Sequence, residues 1–168
     1  MSITLRKSLH SAIGIPSCGG AVDNTAAGII SNNSALNSVF DKVLKHENIA
    51  GTTDYRLLYL SNDTSENQKV YNPQLKLLST TDTEISLGPL SKNEVGATIL
   101  TENTVPQGVF FKTQEELKLI DEGYLSFNNA QQLAPGEFVG VWIKRRVNSS
   151  SGSGTVKEEI VLEVKYKG

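Results

Sequence analysis

The stretch Leu133–Val147 (LAPGEFVGVWIKRRV) constrains the fold more than any other part of the sequence. Its Pro135-Gly136 pair predicts a turn, because proline presets φ and glycine accepts the positive φ that many turns need. The β-prone run that follows holds the only tryptophan of the chain. A strand of period two would have apolar residues on both faces, with Val139, Val141 and Ile143 on one and Phe138 and Trp142 on the other. This pattern predicts a central strand that is covered above and below.

The core of the fold is therefore predicted to include four residues of this strand, namely Val139, Val141, Trp142 and Ile143. The run turns basic at Lys144-Arg145-Arg146, so we expect the strand to reach solvent there and the three cations to form a solvated rim. Phosphate or nucleic-acid binding is the alternative for this cluster. The net charge of −2 gives no general electrostatic reason for it, so nucleic acid is not an expected partner.

The spacing of the other β-prone segments predicts the fold class. They recur roughly every dozen residues, which is typical of an all-β sandwich rather than of βαβ units. We predict a mainly β protein, an antiparallel β-sandwich (immunoglobulin-like or jelly-roll-like) with one or two short helices and an extended N-terminal arm. The segments are 55–60, 70–78, 84–87, 95–101 and 159–167.

Local signals refine several of these strands. Pro73 predicts an edge strand or a bulge, because proline cannot donate to a ladder. Gly88-Pro89 is expected to close the strand before it, and Gly96 weakens the next one. The final strand alternates cleanly, and we expect it to pair antiparallel with Val139–Val147 across a flexible loop at 148–155.

Two helices are predicted. Apolar residues at helical spacing mark an amphipathic helix at 34–50, namely Leu36, Val39, Phe40, Val43 and Leu44. A second, short helix is predicted at 113–122, where Thr113 and Glu116 have the spacing of a capping box.

The first 34 residues differ from the rest, and we divide the chain into an N-terminal arm (1–34) and a β-sandwich domain (35–168). Glycines interrupt the arm, so it is not expected to bury enough apolar surface to order itself alone. One interpretation is a floppy terminus, and the other is an arm that becomes ordered against neighbouring subunits. Its possible assembly contacts are Ile3, Leu5, Leu9, Ile13 and Ile15.

Residues that would indicate catalysis are sparse. The sequence has one cysteine, Cys18, and two distant histidines, His10 and His46. It contains no glycine-rich phosphate loop, nucleophile elbow or metal-binding cluster. We therefore expect no enzyme activity, no cofactor and no metal. An apolar run of membrane-spanning length and a signal-peptide core are also missing, so we expect no membrane partner and synthesis in a cytoplasm.

Three ordered pieces of the sequence resemble small virion structural proteins of tailed bacteriophages. They are 36–41 (LNSVFD), 53–62 (TDYRLLYLSN), and 133–137 (LAPGE) with 141–145 (VWIKR). The resemblance spans roughly Gly19 to Tyr166, and it depends on the order and spacing of the pieces as a set. Leu57 stands where many relatives have cysteine after the YR pair, an exchange that suits a buried apolar position.

The resemblance implies a β-rich, often immunoglobulin-like domain on a phage particle, without catalysis. We expect a structural virion protein, specifically a capsid decoration or cement protein that contacts other virion proteins and self-associates in a symmetric assembly. The alternative is a neck, tail or baseplate component. A carbohydrate- or receptor-binding adhesin is disfavoured because exposed aromatics are scarce, although Tyr55, Tyr59 or Tyr124 could contact sugar.

Overall fold

The computed structural model describes residues 3–30, 51–64, 67–79, 84–147 and 161–167. The predicted helix at 34–50 and the boundary between residues 34 and 35 lie outside these ranges. The described elements are β1 (Ile3–Lys7), a 3-10 helix (Ala26–Gly28), β2 (Ile29–Ile30), β3 (Thr52–Asn62), β4 (Val70–Ser79), β5 (Glu84–Lys92), β6 (Lys112–Thr113), α1 (Gln114–Asp121), β7 (Tyr124–Ser126), β8 (Gln132–Leu133), β9 (Phe138–Val147) and β10 (Val161–Lys167).

The strands form two antiparallel sheets. The larger sheet has the order β2-β1-β3-β9-β5-β6. The smaller has the order β10-β4-β7, and β8 also pairs with β4. Side chains from both sheets meet in one apolar cluster, which we call the inner core, so the predicted mainly β, antiparallel sandwich is confirmed.

The predicted central strand is β9. It pairs with β3 along its whole length and with β5 on its other side. Val139, Val141 and Ile143 lie in the inner core, whereas Trp142 is buried on the opposite face of the sheet. Residues of both faces are removed from water, which is why the run is apolar on both.

Residues 3–7, which we expected to lie in an arm outside the core, form β1. This strand pairs with β3 from Ile3 opposite Asn62 to Lys7 opposite Leu58. Ile3 and Leu5 are buried in the inner core, so the expectation is wrong for these residues. The reason is that their period-two alternation lets a short strand cover an edge of β3 that would otherwise be open.

The Arg6 side chain hydrogen-bonds β1 to neighbouring segments of the chain. Its Nε and Nη2 donate to Asp63 Oδ2 at 3.0 and 2.8 Å, and its Nη1 donates to the carbonyls of Asp23 and Thr25, each at 3.0 Å. Burial opposes ionisation of Asp63, but hydrogen bonds, chiefly from Arg6, outweigh it and hold the pKa of the carboxyl below its usual value. The N-terminal strand is therefore held by charge-assisted bonds as well as by its ladder.

The predicted pairing of residues 159–167 with Val139–Val147 is wrong. β10 pairs with β4 in the smaller sheet. Because β3 and β5 occupy both edges of β9, the last strand crosses to the other sheet. Its alternation still holds, since Leu162 is buried and Lys165 and Lys167 are exposed.

Of three local predictions, two are wrong and one is confirmed in part. No strand forms at 95–101, where Gly96 makes only an isolated bridge to Gly20. Gly88-Pro89 does not close its strand, because β5 runs on to Lys92 with an irregularity after the proline. The extra residue predicted by Pro73 is present as a bulge against β10, although β4 has partners on both sides and is not an edge.

The predicted capping box is confirmed at the start of α1. Thr113 Oγ1 accepts from the backbone N–H of Glu116 at 3.2 Å, and Glu116 Oε1 accepts from the Thr113 N–H at 3.3 Å. Two backbone donors of the first turn are thereby satisfied. Leu117 is the buried residue of this helix, and it reaches the inner core.

Candidate functional site

The outer face of the larger sheet is covered by two loops, 8–28 and 93–111, which we call the outer loop layer. Buried between these loops and the sheet is a second apolar cluster. From the sheet it takes Tyr55, Leu57, Tyr59, Leu90 and Trp142, and from the loops Ala12, Cys18, Val22 and Ile99. The molecule therefore has two apolar layers, one on each side of the larger sheet.

Tyr59 joins the two loops. Its hydroxyl donates to the Gly20 carbonyl at 2.6 Å and accepts from the Gly96 N–H at 3.0 Å. Gly20 and Gly96 are themselves bridged by a backbone hydrogen bond of 2.9 Å. Burial raises the pKa of Tyr59, so the hydroxyl stays protonated and keeps its donor role across the ordinary pH range.

The loops also close the part of the β3 edge that β1 does not reach. The N–H groups of Leu57 and Tyr55 donate to the carbonyls of Ser17 and Glu102, each at 2.8 Å. Two glycines permit this close approach. A Cβ at Gly19, where φ is +99°, would lie 2.0 Å from the Ala97 carbonyl oxygen, and a Cβ at Gly96 would lie 2.3 Å from Leu57 Cδ2. The outer loop layer is thus held by close contacts at Gly19 and Gly96 that larger residues would prevent.

Large apolar side chains point away from this layer into solvent. The most exposed are Ile13 (85%), Leu100 (84%) and Phe110 (84%), and the others on the two loops are Leu9, Val95 and Val105. Isolated exposed apolar residues are ordinary, but six of the ten exposed large apolar residues in the described ranges lie on these two loops, which makes the outer loop layer the candidate for an interaction surface. These side chains define the candidate site, which we call the outer apolar surface.

The five aliphatic residues that we predicted as assembly contacts separate into two groups. Ile3 and Leu5 are buried by their own sheet and cannot contact a neighbour, so the prediction is wrong for these two. Leu9 and Ile13 are exposed on the outer loop layer, and Ile15 is partly buried against its cluster. Sequence reasoning missed the second loop, where single apolar residues lie among Thr, Asn, Pro and Gly without a period that would signal them.

The predicted basic rim is wrong at Arg145. Its Nη2 donates to Asp54 Oδ2 at 2.5 Å, and both side chains are fully buried. Asp54 Oδ1 also accepts from Asn103 Nδ2 at 2.9 Å. Arg145 shares the inner face of β9 with Ile143, and it lies directly opposite Asp54 on β3. A charge at such a position requires a partner, so Arg145 is structural, whereas Arg146 is exposed.

The tyrosines that could have contacted sugar are placed differently from one another. Tyr55 and Tyr59 are buried in the outer cluster. Tyr124 is half-buried, and its ring carries Lys76 Nζ and Lys165 Nζ at 5.0 and 4.7 Å from its centroid. Only Tyr124 of the three remains accessible to a ligand.

Comparisons with known proteins return no match, whether to protein-family models, to curated proteins or to solved structures. Among the residues that the structure describes, no group of three or more His, Cys, Asp or Glu side chains is arranged to hold a metal ion. No helix in the same ranges has the length and apolar character needed to cross a membrane.

Proposed function

We propose that the protein is a structural component of a tailed-phage virion, specifically a capsid decoration or cement protein that stabilises the particle through subunit contacts. The observation that carries this proposal is the outer apolar surface. It is presented by loops that are pinned to the sheet, so docking would not require them to be ordered first. The resemblance of the ordered sequence pieces to phage virion proteins supports the same assignment.

Energetic reasoning favours an assembly role for such a surface. Burial of apolar area contributes roughly 25 cal/mol per Å², so a few exposed side chains give only modest binding per copy. Repeated copies on a symmetric particle convert modest contacts into strong overall retention. Self-association on the lattice and contacts with major capsid subunits are the partners that this proposal implies.

The test of location uses purified particles of the phage that encodes the chain. We expect mass spectrometry to detect the protein in stoichiometric amounts and cryo-electron microscopy to place its density on the capsid lattice. Density at the neck, tail or baseplate would establish the alternative virion role in place of decoration. Absence of the protein from intact particles would refute the virion proposal.

The test of the surface compares two sets of exposed apolar residues. The triple variant Ile13→Ser, Leu100→Ser, Phe110→Ser changes the outer apolar surface. The matched control, Leu119→Ser with Ile120→Ser, changes side chains on α1 that are 88% and 64% exposed. We expect the first variant to reduce incorporation into particles at least about tenfold, equivalent to about 1.4 kcal/mol. Equal incorporation of both variants would contradict a docking role for the outer loop layer.

A further inference from the structure

A cleft opens where β4 changes its partner. Val70 and Tyr71 pair with β8, and β4 resumes pairing with β7 at Gln74. Between these ladders the Asn72 N–H donates to the Gln131 carbonyl at 2.9 Å, while Asn72 itself adopts a positive φ of 48°. On the opposite side of β4, the bulge adds a residue relative to β10. The combined irregularity leaves a cleft of about 320 Å³, which lies in the size range of small-molecule sites.

The cleft combines three kinds of side chain. They are amides and a hydroxyl, apolar side chains of which two are aromatic, and two exposed lysines. The residues are Asn72, Gln74, Gln131 and Ser126, then Pro73, Phe127, Ala130 and Tyr166, then Lys165 and Lys167. The described residues that line it carry two positive charges and no carboxylate, and the nearest carboxylate contact is that of Asp121 with Gln74.

Gln74 is held in place by its neighbours. Its Nε2 donates to Asp121 Oδ2 at 2.8 Å and to Ser126 Oγ at 2.9 Å. Both amide hydrogens are therefore engaged within the protein, and Oε1 is left to accept from a ligand hydroxyl. An amide fixed in this way loses little conformational entropy when a ligand binds.

Lys165 is also positioned before any ligand arrives. Its Nζ lies 4.7 Å from the centroid of the Tyr124 ring, and the Tyr124 hydroxyl donates to Glu163 Oε1 at 3.2 Å. Lys76 Nζ lies 5.0 Å from the centroid of the same ring, but Lys76 does not line the cleft. The two lysines thus have similar aromatic contacts and differ in their access to the cleft.

We propose that this cleft binds a small acidic saccharide. A sugar carboxylate would pair with Lys165 and Lys167, because charge-assisted bonds to an anion are stronger than neutral ones. Sugar hydroxyls would bond to the amides of the cleft, and the C–H face of the ring would lie against Tyr166, which is partly exposed, whereas Phe127 is 6% exposed and belongs to the inner core. A neutral sugar would not use the positive charges of Lys165 and Lys167, and a simple inorganic anion would not use the amides or the Tyr166 ring. This inference does not depend on where the protein resides.

The test is a titration of the full-length, ¹⁵N-labelled protein monitored by NMR. The probes are digalacturonate, glucuronate and N-acetylneuraminate, with galactobiose as the neutral counterpart and sodium acetate as the bare carboxylate. We expect at least one acidic sugar to shift the side-chain amide signals of Asn72, Gln74 and Gln131, with a dissociation constant in the range of about 1 mM or tighter. Galactobiose and acetate should each bind at least about tenfold more weakly, since each satisfies only part of the lining.

Two lysine variants provide the matched comparison. Lys165→Gln should weaken binding of the acidic sugar about tenfold, because it removes one charge-assisted bond, whereas Lys76→Gln should leave affinity unchanged within about twofold. Both changes lie at partly or fully solvated positions, and unchanged backbone spectra will show that the fold is kept. The proposal is overturned if no acidic sugar shifts the cleft amides at about 10 mM, if acetate binds as tightly as the sugars, or if both variants lose affinity equally.

Discussion

The N-terminal strand offers the sharpest test of the fold, because a strand and an arm respond differently to truncation of their apolar residues. Leu5 is 1% exposed in the inner core, and it lies between Ile30 of β2 and Leu60 of β3. Leu9, four residues later, is 58% exposed. The substitutions Leu5→Ala and Leu9→Ala remove the same atoms from the same segment. They differ only in the surroundings that the fold gives to each side chain.

The magnitude follows from burial. Truncating a fully buried leucine costs about 2–5 kcal/mol, which combines the lost transfer free energy with the cavity that remains. For a chain of this size each kcal/mol lowers the midpoint of thermal unfolding by about 2–4 °C, so a loss of about 3 kcal/mol gives about 6–12 °C. Leu9→Ala should change the free energy of unfolding by no more than about 0.5 kcal/mol.

Thermal and urea unfolding, followed by the fluorescence of the single tryptophan, measure both effects. Trp142 is buried on β9, so its emission should shift to longer wavelength when the sheet opens. If Leu5→Ala unfolds at the same midpoint as Leu9→Ala and the wild type, then β1 does not contribute to the core. The first residues would then be an arm outside the domain, as the sequence predicted. Loss of cooperativity with an unchanged midpoint would equally contradict the predicted cavity cost.

Three further predictions concern buried and charged groups. Trp142→Ala should cost about 3–5 kcal/mol and leave little soluble protein, and an unchanged thermal midpoint would contradict this. Arg145→Gln should lower the free energy of unfolding by about 3–5 kcal/mol, because it leaves the buried Asp54 carboxylate without the charge of Arg145. The control Arg146→Gln should change it by less than about 0.5 kcal/mol. Equal effects of the two variants in urea unfolding would refute a stabilising role for the buried pair. Because the pKa of Asp63 is lowered in the folded state, its contribution to stability is complete above its unfolded pKa and is lost as pH falls through the folded value. Asp63→Asn should therefore flatten the acid limb of the stability curve below about pH 4, and an identical limb in both proteins would contradict this.

Short-range signals in the sequence were sufficient for several elements. The alternation at 138–143 identified a strand covered on both faces, and the spacing of Thr113 and Glu116 identified the start of α1. Pro73 indicated an irregularity in its strand, which the structure has as a bulge. Each of these features depends on residues within a few positions of one another, so the local pattern carries the information.

The candidate sites were less accessible to sequence reasoning. The exposed apolar residues of 93–111 have no period, and they become a surface only because the loop is clipped to 8–28 through Tyr59. The cleft likewise requires the partner change of β4 and the bulge against β10. Nothing in the order of Gln74, Ser126 and Lys165 along the chain indicates that they line one cavity.

The sequence by itself determined which residues alternate as in a strand, which residues favour turns, and which side chains are apolar. Only the tertiary structure decided the partner of each strand. Residues 3–7 cover an open edge of β3, and β10 joins β4 because both edges of β9 are taken. Strand pairing also places Arg145 opposite Asp54, so Arg145 is a buried partner of that carboxylate rather than a surface cation. Strand pairing joins residues far apart in the chain, and it depends on which edges the rest of the fold leaves open, so no local pattern can specify it.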